Sequence, residues 1–160
     1  MSPRRLREPM RVYRFGDPDG RFPVFSGEGA TLVDGRWHRT GQEVIYTGEH
    51  YSTALVEVLV HRVWEMPPKQ HFIEIVLPVE TTYEEVTKDI LPGWDSLNSR
   101  VARRHGSKWL DEQRSLILIV PSMVAPEELN ILINPKHPDA NTIKVGREKP
   151  VRWDPRLFVG

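Results

Sequence analysis

Apolar residues fall in short runs separated by proline and glycine, with no long periodic stretch. Arg11–Phe15 (RVYRF) has the β-branched and aromatic chemistry of a strand, and Val44–Thr47 (VIYT) reads as a short buried one. His71–Leu77 (HFIEIVL) is a further strand, stopped by Pro78, and Ser115–Val120 (SLILIV) is a central-strand candidate ended by Pro121 and Ser122. Leu129–Ile133 and Thr142–Val145 are short strands, and a last one is predicted from near Val151 to Phe158. The strongest helix runs roughly from Ser52 to Trp64, with Ser52 or Thr53 as its cap and Pro67-Pro68 closing the segment. Its centre, Ala54 to Val60, is apolar nearly all round and predicts a buried helix, interrupted only by Glu57. Ser96 to Gln113 is helical in part, with Gly106 as a break. Gly16–Gly35 reads as a long loop, and a long loop inside a small domain is often functional.

These elements predict a compact, loop-rich single α+β domain rather than a helical bundle. The 160 residues suit one domain with a real core, and the 14 prolines cut the chain into short elements. Met1–Pro9 reads as a frayed basic tail, so residues 1–10 are set apart from a domain over 11–160. Lys and Arg number 22 and so do Asp and Glu, a balance that argues against a dedicated nucleic-acid binder. There is no cysteine, which excludes disulfides, thiol nucleophiles and thiolate metal sites. No apolar run is long enough to span a bilayer, and the basic start is not followed by the apolar core of a secretory signal. A cytoplasmic protein is the expectation.

Several residues carry candidate chemistry, each with a plainer alternative. A carboxylate inside an apolar helix costs several kcal/mol, on the order of 3–5, if unpaired, so Glu57 either faces a cleft or is the one solvated position. His61 lies on the same face at i+4. Arg36 ends the glycine-rich loop, and its planar fork suits pyrophosphate oxygens; a surface arginine on a hairpin turn is the alternative. Tyr46 on its strand either stacks on a flat base or packs in the core. Arg14 faces outward or into a cleft. Ser122 follows a very apolar strand, where ligand-binding groups are common, or is a turn serine; no Gly-x-Ser-x-Gly elbow surrounds it. The histidines at 38, 50, 61, 71, 105 and 137 form no metal-ligand spacing, and Arg103, Arg104, His105 and Lys108 read as a solvated helix face. Trp64, Trp94, Trp109 and Trp153 are candidates for an exposed interface or for the core.

The order of these pieces is more specific than any one of them. Tyr-Arg on the first strand precedes Gly-Arg-Trp-x-x-x-Gly, then Val-Ile-Tyr-Thr, then Ala-Leu-Val-Glu-Val-Leu-Val-His, then a late Pro-Ser-x-Val before Asn-Ile-Leu-Ile-Asn-Pro. From about Val12 to Phe158 the chain resembles the RES domain, named for an arginine, a glutamate and a serine, here Arg36, Glu57 and Ser122. The resemblance implies a fold similar to ADP-ribosyltransferases, with a mixed β core and flanking helices, and a toxin of a bacterial toxin–antitoxin pair. It also implies consumption of NAD+ as substrate, without a metal. The products arise by hydrolysis, phosphorolysis or ADP-ribosyl transfer to a protein such as phosphoribosyl pyrophosphate synthetase. The implied partner is an Xre-type antitoxin that blocks the active site in an oligomeric complex, with neither nucleic acid nor membrane involved. Arg14, Arg36, Tyr46 and Glu57 are the implied NAD-binding positions, and Glu57, Arg36, Tyr46 and Ser122 the implied catalytic ones. A non-catalytic nucleotide-binding module and a nucleic-acid-cleaving toxin are the alternatives.

Overall fold

A computed structural model describes residues 3–62 and 65–158. The strands are β1 (Arg4–Arg5), β2 (Met10–Gly16), β3 (Ile45–Gly48), β4 (His71–Leu77), β5 (Thr82–Glu85), β6 (Ile117–Pro121), β7 (Leu129–Ile133), β8 (Lys144–Val145) and β9 (Lys149–Pro150). The described residues form two α-helices, α1 (Tyr51–His61) and α2 (Arg100–Glu112). All nine strands join one sheet in the order β1-β5-β6-β7-β3-β2-β4-β8, with β9 also on β4. Among the described residues only β5 and β6 run parallel, so the sheet is mixed and the domain is α+β.

Register assigns the two faces. Residues directly opposite in an antiparallel pair share a face. Ile45, Ile131 and Ile133 thus join Val12, Ile73 and Ile75 on one side, under Leu6, Val24 and Phe25. Tyr46, Leu132 and Leu118 lie on the other side, packed with Trp37, Trp94, Ala102 and Trp109. Tyr51 at the head of α1 packs on Phe15 and Phe72 of that same side. Both helices therefore cover one face, while loop residues close the other.

Several expectations are corrected. The N-terminal segment is not simply a tail: Arg4 and Arg5 pair with Tyr83 and Thr82, and Leu6 is buried. Helix α1 starts at Tyr51 with His50 at the cap position and no side-chain cap, so Ser52 and Thr53 lie inside its first turn, where the Thr53 hydroxyl donates to the Glu128 carboxylate. Residues 63 and 64, including Trp64, lie outside the described residues. The helix is not buried all round; Thr53, Ala54 and Leu59 are its buried residues and Val60 is exposed. Gly106 does not break α2. A Cβ there would sit 1.9 Å from the Trp37 carbonyl oxygen, so the missing side chain is what lets α2 press on that loop. Trp94 and Trp109 belong to the core, with the Trp109 indole donating to Ser115. The final strand predicted near Val151–Phe158 is absent among the described residues; β9 ends at Pro150 and a 3₁₀ turn follows at Pro155–Leu157.

Candidate functional site

Glu57 projects from the second turn of α1. Its Oε1 accepts from Asn130 Nδ2 at 3.2 Å and from Ser122 Oγ at 3.4 Å. The His61 imidazole stands 4.0 Å from Oε2. The side chain is about 29% exposed, and its hydrogen bonds among the described residues all fall on Oε1. The elements that carry it are braced. Gly48 lets α1 turn back over β3, since a Cβ there would lie 3.0 Å from Ala54 N. The Glu49 amide donates to the Leu129 carbonyl and the Leu129 amide to the Glu49 carboxylate, which fixes the helix start against β7.

Ser122 is fully buried one residue beyond β6, and its hydroxyl accepts from the Ala125 amide at 3.0 Å. With that acceptor role filled, its proton is directed to Glu57.

Tyr46 stands on the helix-covered face of β3. His38 is buried, and its Nε2 faces the carbonyls of Ala30 at 2.8 Å and Val33 at 2.9 Å. A carbonyl only accepts, so the neutral ring carries its proton on Nε2 and Nδ1 accepts from the Tyr46 hydroxyl. That hydroxyl in turn accepts from the Trp37 amide at 3.3 Å. Burial raises the Tyr46 phenol well above its usual range. With both hydroxyl functions taken, Tyr46 offers a ligand its ring.

Arg36 turns one terminal nitrogen, Nη1, to the carbonyls of Trp94 at 3.0 Å and Ser96 at 2.9 Å. Its Nε and Nη2 have no protein partner among the described residues. Arg103 of α2 grips the preceding residue, donating from Nε to the Gly35 carbonyl at 3.0 Å. Arg14 does not join this group. Its register with Ile73 places it on the opposite face from Tyr46, and its guanidinium donates to the carbonyls of Val24 at 2.6 Å and Tyr46 at 3.0 Å. Desolvation there lowers it to about 10.

Strand register puts Asn130, which holds Glu57, on the same sheet face as Tyr46, whose hydroxyl reaches the amide of Trp37 next to Arg36. Sequence reasoning missed Asn130, His38 and Arg103. Asn130 was legible as the polar intruder in Leu-Asn-Ile-Leu-Ile. His38 offered only its place two residues after Arg36, and Arg103 offered nothing beyond a charge.

A mixed sheet with both helices on one face, carrying an anchored carboxylate and a half-free guanidinium, defines an α+β domain with a polar candidate site on its helix-covered side. The RES domain family matches residues 10–154, and the chain belongs to that family. It is 39% identical over 138 residues to the Prs ADP-ribosylating toxin of Sphingobium sp. (strain YBL2), spanning 83% of this chain and 86% of that protein. It is 36% identical over 136 residues to Toxin Res of Pseudomonas putida (strain KT2440), spanning 83% and 92%. The toxin–antitoxin complex MbcT–MbcA of M. tuberculosis shares the fold, with a TM-score of 0.74 at 12% identity over 92% of this chain and 86% of that one.

Proposed function

We propose that this chain is the toxin of a toxin–antitoxin pair and that it cleaves the nicotinamide–ribose bond of NAD+. Two relatives carry the name Toxin or ADP-ribosylating toxin, and ADP-ribosylation takes its ADP-ribose from NAD+. The observation that carries the reading is Glu57, half-buried, with Oε1 held by Ser122 and Asn130 and Oε2 without a hydrogen bond among the described residues. Nicotinamide leaves with the bonding electron pair, which neutralises its ring nitrogen, so the departing group needs little acid help. Positive charge develops on the ribose, and a fixed carboxylate opposes it, as in glycoside cleavage. Ser122 and Asn130 hold Glu57 in place. The Tyr46 ring stacks on the flat base, and the free edge of Arg36 takes pyrophosphate oxygens. Arg14 acts from behind the sheet by fixing the Tyr46 carbonyl.

The nucleophile that attacks the ribose and then gives up its proton is water, phosphate or a protein side chain. A protein acceptor is favoured by the similarity to a Prs ADP-ribosylating toxin, and an antitoxin partner by the structural likeness to a toxin–antitoxin complex. Action in the cytoplasm and an antitoxin of the Xre type belong to the same proposal. The test is release of free nicotinamide from NAD+ by wild type and by Glu57→Gln. Removing one such electrostatic contact lowers turnover about 10²–10³-fold. Equal rates in the two forms overturn the role of Glu57, and no release with water, phosphate or protein acceptors overturns the activity.

A further inference from the structure

Outside the cleft, the solvent side of α2 lines a concavity of about 580 Å³. Arg39, Arg100, Arg103, Arg104 and Lys108 stand around it, in a chain whose net charge is zero. Its two acids are already engaged: Asp111 with Arg39 at 2.7 Å and Glu112 with Arg114 at 3.1 Å. Arg100, Arg104 and Lys108 are exposed and form no ion pair among the described residues.

Two observations show that these cations are poorly satisfied by the protein itself. Arg100, Arg104 and Lys108 follow one another at i, i+4, where like charges destabilise a helix. Two of them sit in the first turn and a half, at the positive end of the helix dipole, and that first turn has no acidic residue and no side-chain cap. Ser107, only about 5% exposed, also lines the concavity, and its hydroxyl has no hydrogen-bond partner among the described residues. An unpaired buried hydroxyl beside unpaired guanidinium groups is a donor set awaiting an acceptor-rich anion.

We propose that this basin is a second binding site, for the phosphate groups of a compact phosphorylated ligand such as inorganic pyrophosphate or the diphosphate end of a nucleotide. The concave shape suits a small ligand. The lining holds no aromatic ring on which bases would stack, and Asp111 and Glu112 close one end, which disfavours a passing phosphodiester strand. Arg103 belongs to both places, lining the basin while holding Gly35 next to Arg36. An occupied basin is therefore wired to the cleft through one side chain.

The test follows thermal unfolding and calorimetric binding of the whole chain in inorganic pyrophosphate and in ADP, against sodium chloride of equal ionic strength. Wild type gains melting temperature in pyrophosphate beyond the salt control. Arg104→Glu melts higher than wild type without ligand, since it places an acid near the helix start between two cations, and it binds pyrophosphate about tenfold more weakly or worse. Equal affinity for pyrophosphate and ADP assigns recognition to the phosphates alone, and tighter ADP adds the nucleoside; both support the site. No pyrophosphate effect in wild type, an undiminished effect in Arg104→Glu, a lower ligand-free melting temperature of Arg104→Glu, or a single-stranded oligonucleotide bound more tightly than pyrophosphate each overturns it. Nicotinamide release by Arg104→Glu in phosphate-free buffer stays at the wild-type rate, so this proposal and the NAD+ reading fail separately.

Discussion

The Tyr46 hydroxyl donates to Nδ1 of His38 across 2.7 Å, and the two rings fix each other between β3 and the arginine loop. The bond ties the floor of the cleft to the segment that presents Arg36. It depends on Gly35 as well, because a Cβ there would lie 2.5 Å from His38 Nδ1 and 2.7 Å from the Tyr46 oxygen.

Tyr46→Phe leaves His38 Nδ1 and the Trp37 amide without their partner, at a cost of about 1–3 kcal/mol in urea unfolding. Gly35→Ala strains the same contact and lowers both stability and nicotinamide release. Wild-type stability in Gly35→Ala would show that the lock does not hold the loop.

Asn130→Leu keeps the branching at Cγ but removes the 3.2 Å donor to Glu57. A hydrogen bond to a charged group is worth about 1.5–3 kcal/mol, so kcat for nicotinamide release falls about 10–100-fold while KM changes little. Asn130→Asp, which sets a second carboxylate against Glu57, is worse at neutral pH and improves as the pH falls. An unchanged kcat in both variants removes Asn130 from the positioning of Glu57.

Gly106→Ala drives a methyl group into the Trp37 carbonyl. Overpacking at backbone distance costs about 3 kcal/mol or more, so the variant melts far below wild type. A near-neutral effect would mean that α2 slides freely on the arginine loop.

Acid weakens the fold through His105. Its ring packs edge-on to Trp37, and desolvation lowers it below the ordinary value of 6.5. The unfolded chain therefore binds this proton first as pH falls through about 6.5, and stability declines from there until the folded ring also titrates. His105→Gln flattens that part of the stability-against-pH curve measured by denaturant midpoints. An identical slope in the two proteins assigns the acid sensitivity elsewhere.

Local chemistry made some of the molecule readable from its residues. β4 and β7 run over the predicted residues because apolar alternation and flanking breakers fix strands locally. Glu57 stood out as a charge in an apolar helix. Its pairing with Ser122 and Asn130 did not, because they lie 65 and 73 residues away and reach it only through strand register. The anchor of Arg36 was invisible for a different reason: carbonyl oxygens of residues 94 and 96 hold it, and a carbonyl leaves no mark in the amino-acid code. Gly106 was read as a break because glycine's low helix propensity is a weak signal that tertiary packing overrides.

The sheet is least continuous where β2 meets β3. A single residue pair, Tyr13 with Gly48, is in register there, and beyond it the Arg14 guanidinium takes the Tyr46 carbonyl that a neighbouring strand would otherwise bond. Mechanically the molecule is two half-sheets closed by a clasp. Stress applied across the fold concentrates on that seam, so hydrogen exchange at its edges will report breathing of the cleft floor before any other part of the sheet loosens.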